Sequence, residues 1–180
     1  MHFLAAVLRI ADELAEEWTR ASRFALDSVT GRTQLRGSEV FHVYADRLRE
    51  VHIKPEEGTA ELTFWVAPQH LTTVYRKLNG EILLFDEIRE RMLKLYQECV
   101  YCRRFLLPHV HLDRIRIRIN VYTHAYGDLI HQELFVLQET GYPTYPESLE
   151  VVSADTIDSV GVLKDGAWLK AVIETKLAIG

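Results

Sequence analysis

Apolar positions recur along the chain with two periods, and each period predicts an element. Over residues 3–18, Leu4, Val7, Leu8, Ala11, Leu14, Ala15 and Trp18 fall at helical steps and line one face of a helix extending toward residue 25. A second helical stripe runs through residues 81–106. Its positions are Ile88, Met92, Leu95, Cys99, Cys102 and Leu106, with "LNG" before it and Pro108 after it as stop signals. Between the two the period drops to two. "LREVHIK" and "TAELTFWV" alternate on either side of "PEEG", which predicts a hairpin turning near Glu57 and Gly58. "LDRIRIRINVY" alternates most cleanly, with Ile115, Ile117 and Ile119 directed to a core and Arg114, Arg116 and Arg118 on the other face.

Residues 28–39, "SVTGRTQLRGSE", read as an exposed loop. A change of composition near "THAYGD" predicts a boundary between residues 1–122 and 123–180. The second part is expected to hold a helix over 128–139 and the irregular "GYPTYPE". Two short strands follow, over 157–163 and 168–177, joined by "KDGA", another hairpin signal. The fold class is therefore α+β: amphipathic helices packed with antiparallel β-hairpins, plus a short C-terminal helix-and-hairpin unit.

Composition narrows the partners. With 180 residues, 48% hydrophobic and 26% charged, the chain has room for a sizeable core and lacks the signature of disorder. A net charge of −5 argues against a general nucleic-acid coat and leaves local basic faces as the electrostatic handle. No apolar run approaches the roughly 18 residues of a membrane span, and the N-terminal residues lack the pattern of a signal peptide. Two cysteines make no disulfide framework, so a reduced, cytoplasmic protein is expected.

One residue breaks the pattern of the first helix. At 100° per residue Asp12 lies about 40° beyond Leu8, at the edge of the apolar stripe. A carboxylate there either reaches water or is held by a cation. Its surroundings, "LRIADELAEE", resemble the late helix of HD-superfamily metal-dependent phosphohydrolases, in which "L-R-x-A-D-x-L-D" carries the last metal-ligating aspartate. Asp12 occupies that position. Members of the branch with a long C-terminal extension continue with a loop, an aromatic-His segment, a hairpin and a long helix. "FHVYADRLREVHIK", "TAELTFWV" and the helix over 81–106 follow in that order, so the resemblance covers about residues 3–120. It implies phosphoester hydrolysis on nucleotides or nucleic acid with a divalent ion, Mg²⁺ or Mn²⁺. The family's site also needs an upstream histidine and a His-Asp dyad, and no His-Asp dipeptide occurs in this chain; Ala15 replaces the second acid. The resemblance thus implies the back half of an HD domain, inactive in isolation: one cut short of an upstream segment, a diverged remnant, or one whose site is completed by a partner chain. A homo-oligomer is a separate expectation, since a second copy would bring no His-Asp ligands.

A second resemblance lies near the other end. "WLKAVIETKLA" sets Glu174 and Lys176 two apart, as in the core strand of PD-(D/E)xK nucleases, where the carboxylate binds Mg²⁺ and the lysine orients the attacking water. This likeness, over about residues 126–177, implies metal ligation by Asp158 and Glu174, catalysis by Glu174 and Lys176, and a further acid, Glu133, from the preceding helix. Asp158 is not preceded by proline, and a salt pair on an edge strand accounts equally for the two charges.

Three other constellations carry chemistry on paper. Cys99 and Cys102 with His109 and His111 match zinc-ligand types, but the cysteines fall on the core stripe of the long helix. "HVHLD" resembles the metal motif of metallo-β-lactamase-like hydrolases, which requires another histidine where Arg114 stands. Arg114, Arg116 and Arg118 form either a solvated sheet face or a phosphate-binding strip, since arginine grips phosphate with two hydrogen bonds. A third reading of the whole chain is a non-catalytic interaction or scaffold module.

Overall fold

The computed structural model describes residues 2–15, 37–123, 127–138 and 164–179. In chain order its elements are α1 (His2–Leu14), α2 (Glu39–Arg47), β1 (Leu48–Lys54), a 3₁₀ turn (Pro55–Glu57), β2 (Thr59–Val66) and α3 (Pro68–Thr72). There follow β3 (Val74–Lys77), β4 (Gly80–Leu83), α4 (Leu84–Leu106), β5 (Arg114–Tyr122), β6 (Leu129–Gln138) and α5 (Gly166–Ile179). The fold is α+β, as the mixture of periods predicts. Among the described residues no helix is long and apolar enough to cross a membrane.

Four strands form one sheet in the order β1-β2-β5-β6. β1 and β2 make the expected antiparallel hairpin. Its turn closes on Gly58, whose φ of 61° is a left-handed conformation that glycine adopts without penalty. The carbonyl of Gly58 then accepts hydrogen bonds from the backbone of Asp113 (2.8 Å) and Arg114 (3.1 Å), which ties this turn to the start of β5. β5 runs parallel to β2, after the crossover through α4, and β6 returns antiparallel to β5. β3 and β4 form a separate two-stranded hairpin.

The two faces of the sheet differ as the alternation requires. Ile115, Ile117, Ile119 and Val121 of β5, with Ala60, Leu62, Phe64 and Val66 of β2, are all buried. All six stripe positions of α4, from Ile88 to Leu106, are buried with them. Each such aliphatic side chain contributes about 1.5–3 kcal/mol. Arg114, Arg116 and Arg118 lie on the opposite face of the sheet.

Several expectations are corrected. The helix expected over 128–139 is β6. Its Glu133, Phe135 and Leu137 alternate inward, and its backbone satisfies the edge of β5 that β2 leaves open. The strand expected over 168–177 is α5, with Leu169 and Ile173 buried one helical turn apart. "KDGA" is a helix start instead of a hairpin turn. The Asp165 carboxylate accepts from the Trp168 backbone N–H at 2.8 Å, the usual N-cap contact. Gly166 permits close approach there: its N–H donates to Asp86 at 2.7 Å, and a Cβ would collide with the Asp86 carboxylate and stand 2.7 Å from Leu83 Cβ. Described residues on both sides of the expected boundary near residue 123 share one core, since Phe135, Leu137, Leu169 and Ile173 join the same cluster as Phe64 and Ile88.

α1 is also turned relative to its expected orientation. Ala6, Ile10 and Leu14 are buried, while Leu4, Val7 and Leu8 are exposed. The helix is apolar on two adjoining arcs, and the one containing Phe3, Ala6, Ile10 and Leu14 meets the core. Ion pairs from Arg9 to Glu98 and from Glu13 to Lys94 (2.8 Å), with an Arg9 guanidinium over the Tyr101 ring, hold α1 along α4 in that orientation. The expected continuation of the helix through Trp18, most of the 28–39 loop, "GYPTYPE" and the strand over 157–163 lie outside the described residues.

Candidate functional site

Asp12 sits on the solvent side of α1, fully outside the core. It lies in line with Leu4 (64% exposed) and Leu8 (70% exposed), one helical turn apart each, and about 160° round the helix from Ile10. The acid and the apolar stripe that the sequence places together therefore do share a face, but it is a face uncovered by the described residues. Isolated exposed leucines are ordinary. Here Leu4, Val7, Leu8 and Ala11 form a strip beside one carboxylate that the described residues leave exposed. No group of three or more His, Cys, Asp or Glu side chains among the described residues is arranged to hold a metal. A single carboxylate does not retain a divalent ion against water, so Asp12 alone does not fit one.

The second set of predicted residues is only partly assembled. Asp158 lies outside the described residues. Glu174 is exposed on α5, 3.9 Å from Lys170. Because α5 is a helix, Glu174 and Lys176 are separated by about 200° of rotation and cannot serve one scissile bond as two strand residues would. Glu133 and Lys176 do approach each other, through a residue absent from the expected set. Lys176 Nζ is 3.2 Å from His131 Nδ1 and donates to the Ile130 carbonyl at 2.9 Å. His131 Nε2 is 3.3 Å from Glu133, and Lys164 Nζ donates to Glu133 at 2.7 Å. An ammonium can only donate, so Nδ1 is the accepting atom of the Lys176 contact. The approach of Nε2 to Glu133 is a long contact and not a well-formed hydrogen bond. Burial raises the Glu133 pKa, but the hydrogen bonds from His131 and Lys164 outweigh it and hold the carboxyl below its ordinary value. This chain of contacts joins β6 to both ends of the α5 region.

A further ionic cluster went unnoticed in the sequence. Glu87, 2% exposed, accepts from Arg91 at 2.6 Å and forms an ion pair with Lys77 at 2.6 Å, and the Arg91 guanidinium lies over the rings of Phe41 (4.9 Å) and Tyr44 (4.8 Å). Only the Glu87–Arg91 spacing of four hinted at it. It connects α2, β3 and α4. The two cysteines are buried in the core, and burial pushes the Cys99 thiol up to about 12, far from the thiolate that a zinc site requires.

The three predicted arginines form the centre of a broader surface. Register across the sheet sets Lys54, Thr59, Arg114 and Gln138 in one row, and His52, Glu61, Arg116 and Val136 in the next. Glu50, Thr63, Arg118 and Leu134 form the third row, and Trp65, Asn120 and Gln132 the fourth, with Tyr122 beyond. Glu61 receives both Lys54 (2.9 Å) and Arg116, which keep its pKa low. Arg114 donates to Gln138 at 3.1 Å. Arg118 is exposed and has no acidic partner among the described residues. Trp65 and Tyr122 are partly exposed, their ring centroids 5.8 Å apart and tilted by 58°.

No family model, curated protein or solved structure matches this chain.

Proposed function

We propose that this chain supplies one wall of an HD-type metal-dependent phosphohydrolase site acting on nucleotides or nucleic acid, with Asp12 as one ligand of the divalent ion. The observation that supports the reading is the position of Asp12, in line with the uncovered Leu4 and Leu8 on the side of α1 turned away from the core. In that reading the strip receives the helices that carry the missing histidine and His-Asp ligands, on another segment or chain. Burying Leu4 and Leu8 would contribute about 1.5–3 kcal/mol each to that docking. The described residues alone are then inactive, since they bring one ligand where several must converge.

The test joins this chain to an amino-terminal HD half bearing those ligands and follows Mn²⁺-dependent hydrolysis of bis(p-nitrophenyl) phosphate. The joined protein should hydrolyse the ester. Asp12→Asn should abolish hydrolysis and weaken Mn²⁺ binding while the folded content by circular dichroism is unchanged. Leu8→Glu should block assembly of the two halves. Equal Mn²⁺ affinity in the parent and Asp12→Asn proteins would remove Asp12 from the site and the reading with it.

A further inference from the structure

We propose that the outer face of the four-stranded sheet, from Lys54 and Arg114 to the Trp65–Tyr122 ring pair, binds single-stranded nucleic acid. The inference is independent of Asp12, which lies on α1 and outside this sheet.

Charge is the first argument. The chain as a whole carries −5, yet this face sets four cations, Lys54, Arg114, Arg116 and Arg118, against two carboxylates, Glu50 and Glu61. Glu61 is shared by Lys54 and Arg116, so it neutralises one of them at most. Glu50 faces His52 at 3.6 Å on the outer strand, away from the arginine row. Lys54 lies beside Glu57 as well as Glu61, so the excess of positive charge sits on the arginine row, opposite in sign to the chain as a whole. Such a face attracts a polyanion to one place while the rest of the surface repels it.

The second argument is the pairing of cations with rings. Same-face residues on a strand are about 6.6 Å apart, so Arg114, Arg116 and Arg118 leave the backbone of β5 in a row some 13 Å long, Arg114 reaching toward Gln138 on β6 and Arg116 toward Glu61 on β2. The row ends at Asn120 and Tyr122, with Trp65 beside them on β2. A ring tilted against its neighbour and still partly exposed offers a free π-face to an unstacked base. Leu134 and Val136 of β6 lie next to the arginines and supply an apolar floor, and Gln132, which donates to Asn120 at 2.7 Å, adds hydrogen-bonding groups at the ring end. A duplex hides its base faces and meets only the arginines; a single strand meets both arginines and rings. Among the described residues, α2 and α4 pack on the opposite, apolar face of the sheet, where Phe64 and Ile117 are buried.

The experiment is fluorescence anisotropy with fluorescein-labelled oligothymidylate and oligouridylate of twelve nucleotides, and with a twelve-base-pair duplex. Both single strands should bind more tightly than the duplex. Affinity should fall with salt at a log–log slope of about −2, as three phosphate contacts at roughly −0.7 each require, or roughly twentyfold between 50 and 200 mM. Arg118→Ala should flatten that slope by about 0.7, and Trp65→Ala should weaken binding on the order of tenfold. Trp65→Phe keeps a ring and should retain most of the affinity, which separates loss of stacking from loss of fold. Arg76→Ala, on the separate β3–β4 hairpin, should change nothing. Equal binding of duplex and single strands, or affinity and slope unmoved by both Arg118→Ala and Trp65→Ala, would overturn the proposal.

Discussion

Glu133→Gln distinguishes a structural clasp from a catalytic acid. The substitution keeps the shape of the side chain and removes its charge from a place that is 6% exposed, between Lys164 Nζ at 2.7 Å and His131 Nε2 at 3.3 Å. A hydrogen bond to a charged group contributes about 1.5–3 kcal/mol. The Lys164 contact is short and belongs in the upper part of that range; the His131 contact is long and adds little. Lys164 is itself only partly buried and regains water when its partner is lost, which limits the penalty to about 2–3 kcal/mol at pH 7. For a chain of this size that is a fall in Tm of roughly 5–10 °C. Urea and thermal unfolding followed by circular dichroism read it directly.

The pH dependence has a fixed sign. The folded-state pKa of Glu133 lies below its ordinary value, so its contribution is complete above the ordinary carboxyl range and is lost as pH falls through the lower, folded value. The gap between parent and Glu133→Gln should therefore be constant near neutrality and close progressively on acidification below about pH 4.5. A variant within about 0.5 kcal/mol of the parent at pH 7, or a gap that does not close in acid, would refute the reasoning.

Packing around α5 and along α4 sets three further outcomes. Leu169→Ala and Ile173→Ala, both wholly buried on α5, should each cost about 2–5 kcal/mol in urea unfolding, whereas Leu177→Ala, half exposed, should change stability by less than about 0.5 kcal/mol. Gly166→Ala should destabilise by about 1–3 kcal/mol, because the new Cβ collides with Asp86 and Leu83 at the start of α5; thermal melts would show it. Neither Cys99 nor Cys102 should react with a thiol reagent in the native protein at pH 8, and both should react in denaturing urea, since burial raises both thiols.

Where one face alone was apolar, the sequence already contained the answer. Ile88 through Leu106 fall on a single helical stripe, and Ile115, Ile117 and Ile119 on a single strand parity, so α4 and β5 match their patterns. β6 was misread because Leu129, Ile130, Leu134, Phe135, Val136 and Leu137 occupy both parities. Its state is set by the open edge of β5, against which it folds back across a short connection, and not by its own pattern of apolar positions. α5 was misread because Asp-Gly is both a turn signal and an N-cap followed by a glycine; the contact with Asp86, some eighty positions earlier, decides between them. The face of α1 was ambiguous for the same kind of reason: two apolar arcs compete, and ion pairs to Glu98 and Lys94 select one. At the sites, the arginine row was visible as a row. The ring pair beside it depends on the parallel register of β2 with β5, which neither strand encodes alone.

That parallel register also shapes how the chain must fold. The two antiparallel pairings, β1 with β2 and β5 with β6, each close over a short connection and can form early and independently. The seam between them joins residues such as Glu61 and Arg116, 55 positions apart, and cannot close until α4 has spanned the interval. Its loop-closure entropy falls due before most core contacts are made. The Gly58 carbonyl, held by both Asp113 and Arg114, stands at the end of that seam and serves as the stop against which the two hairpins come into step.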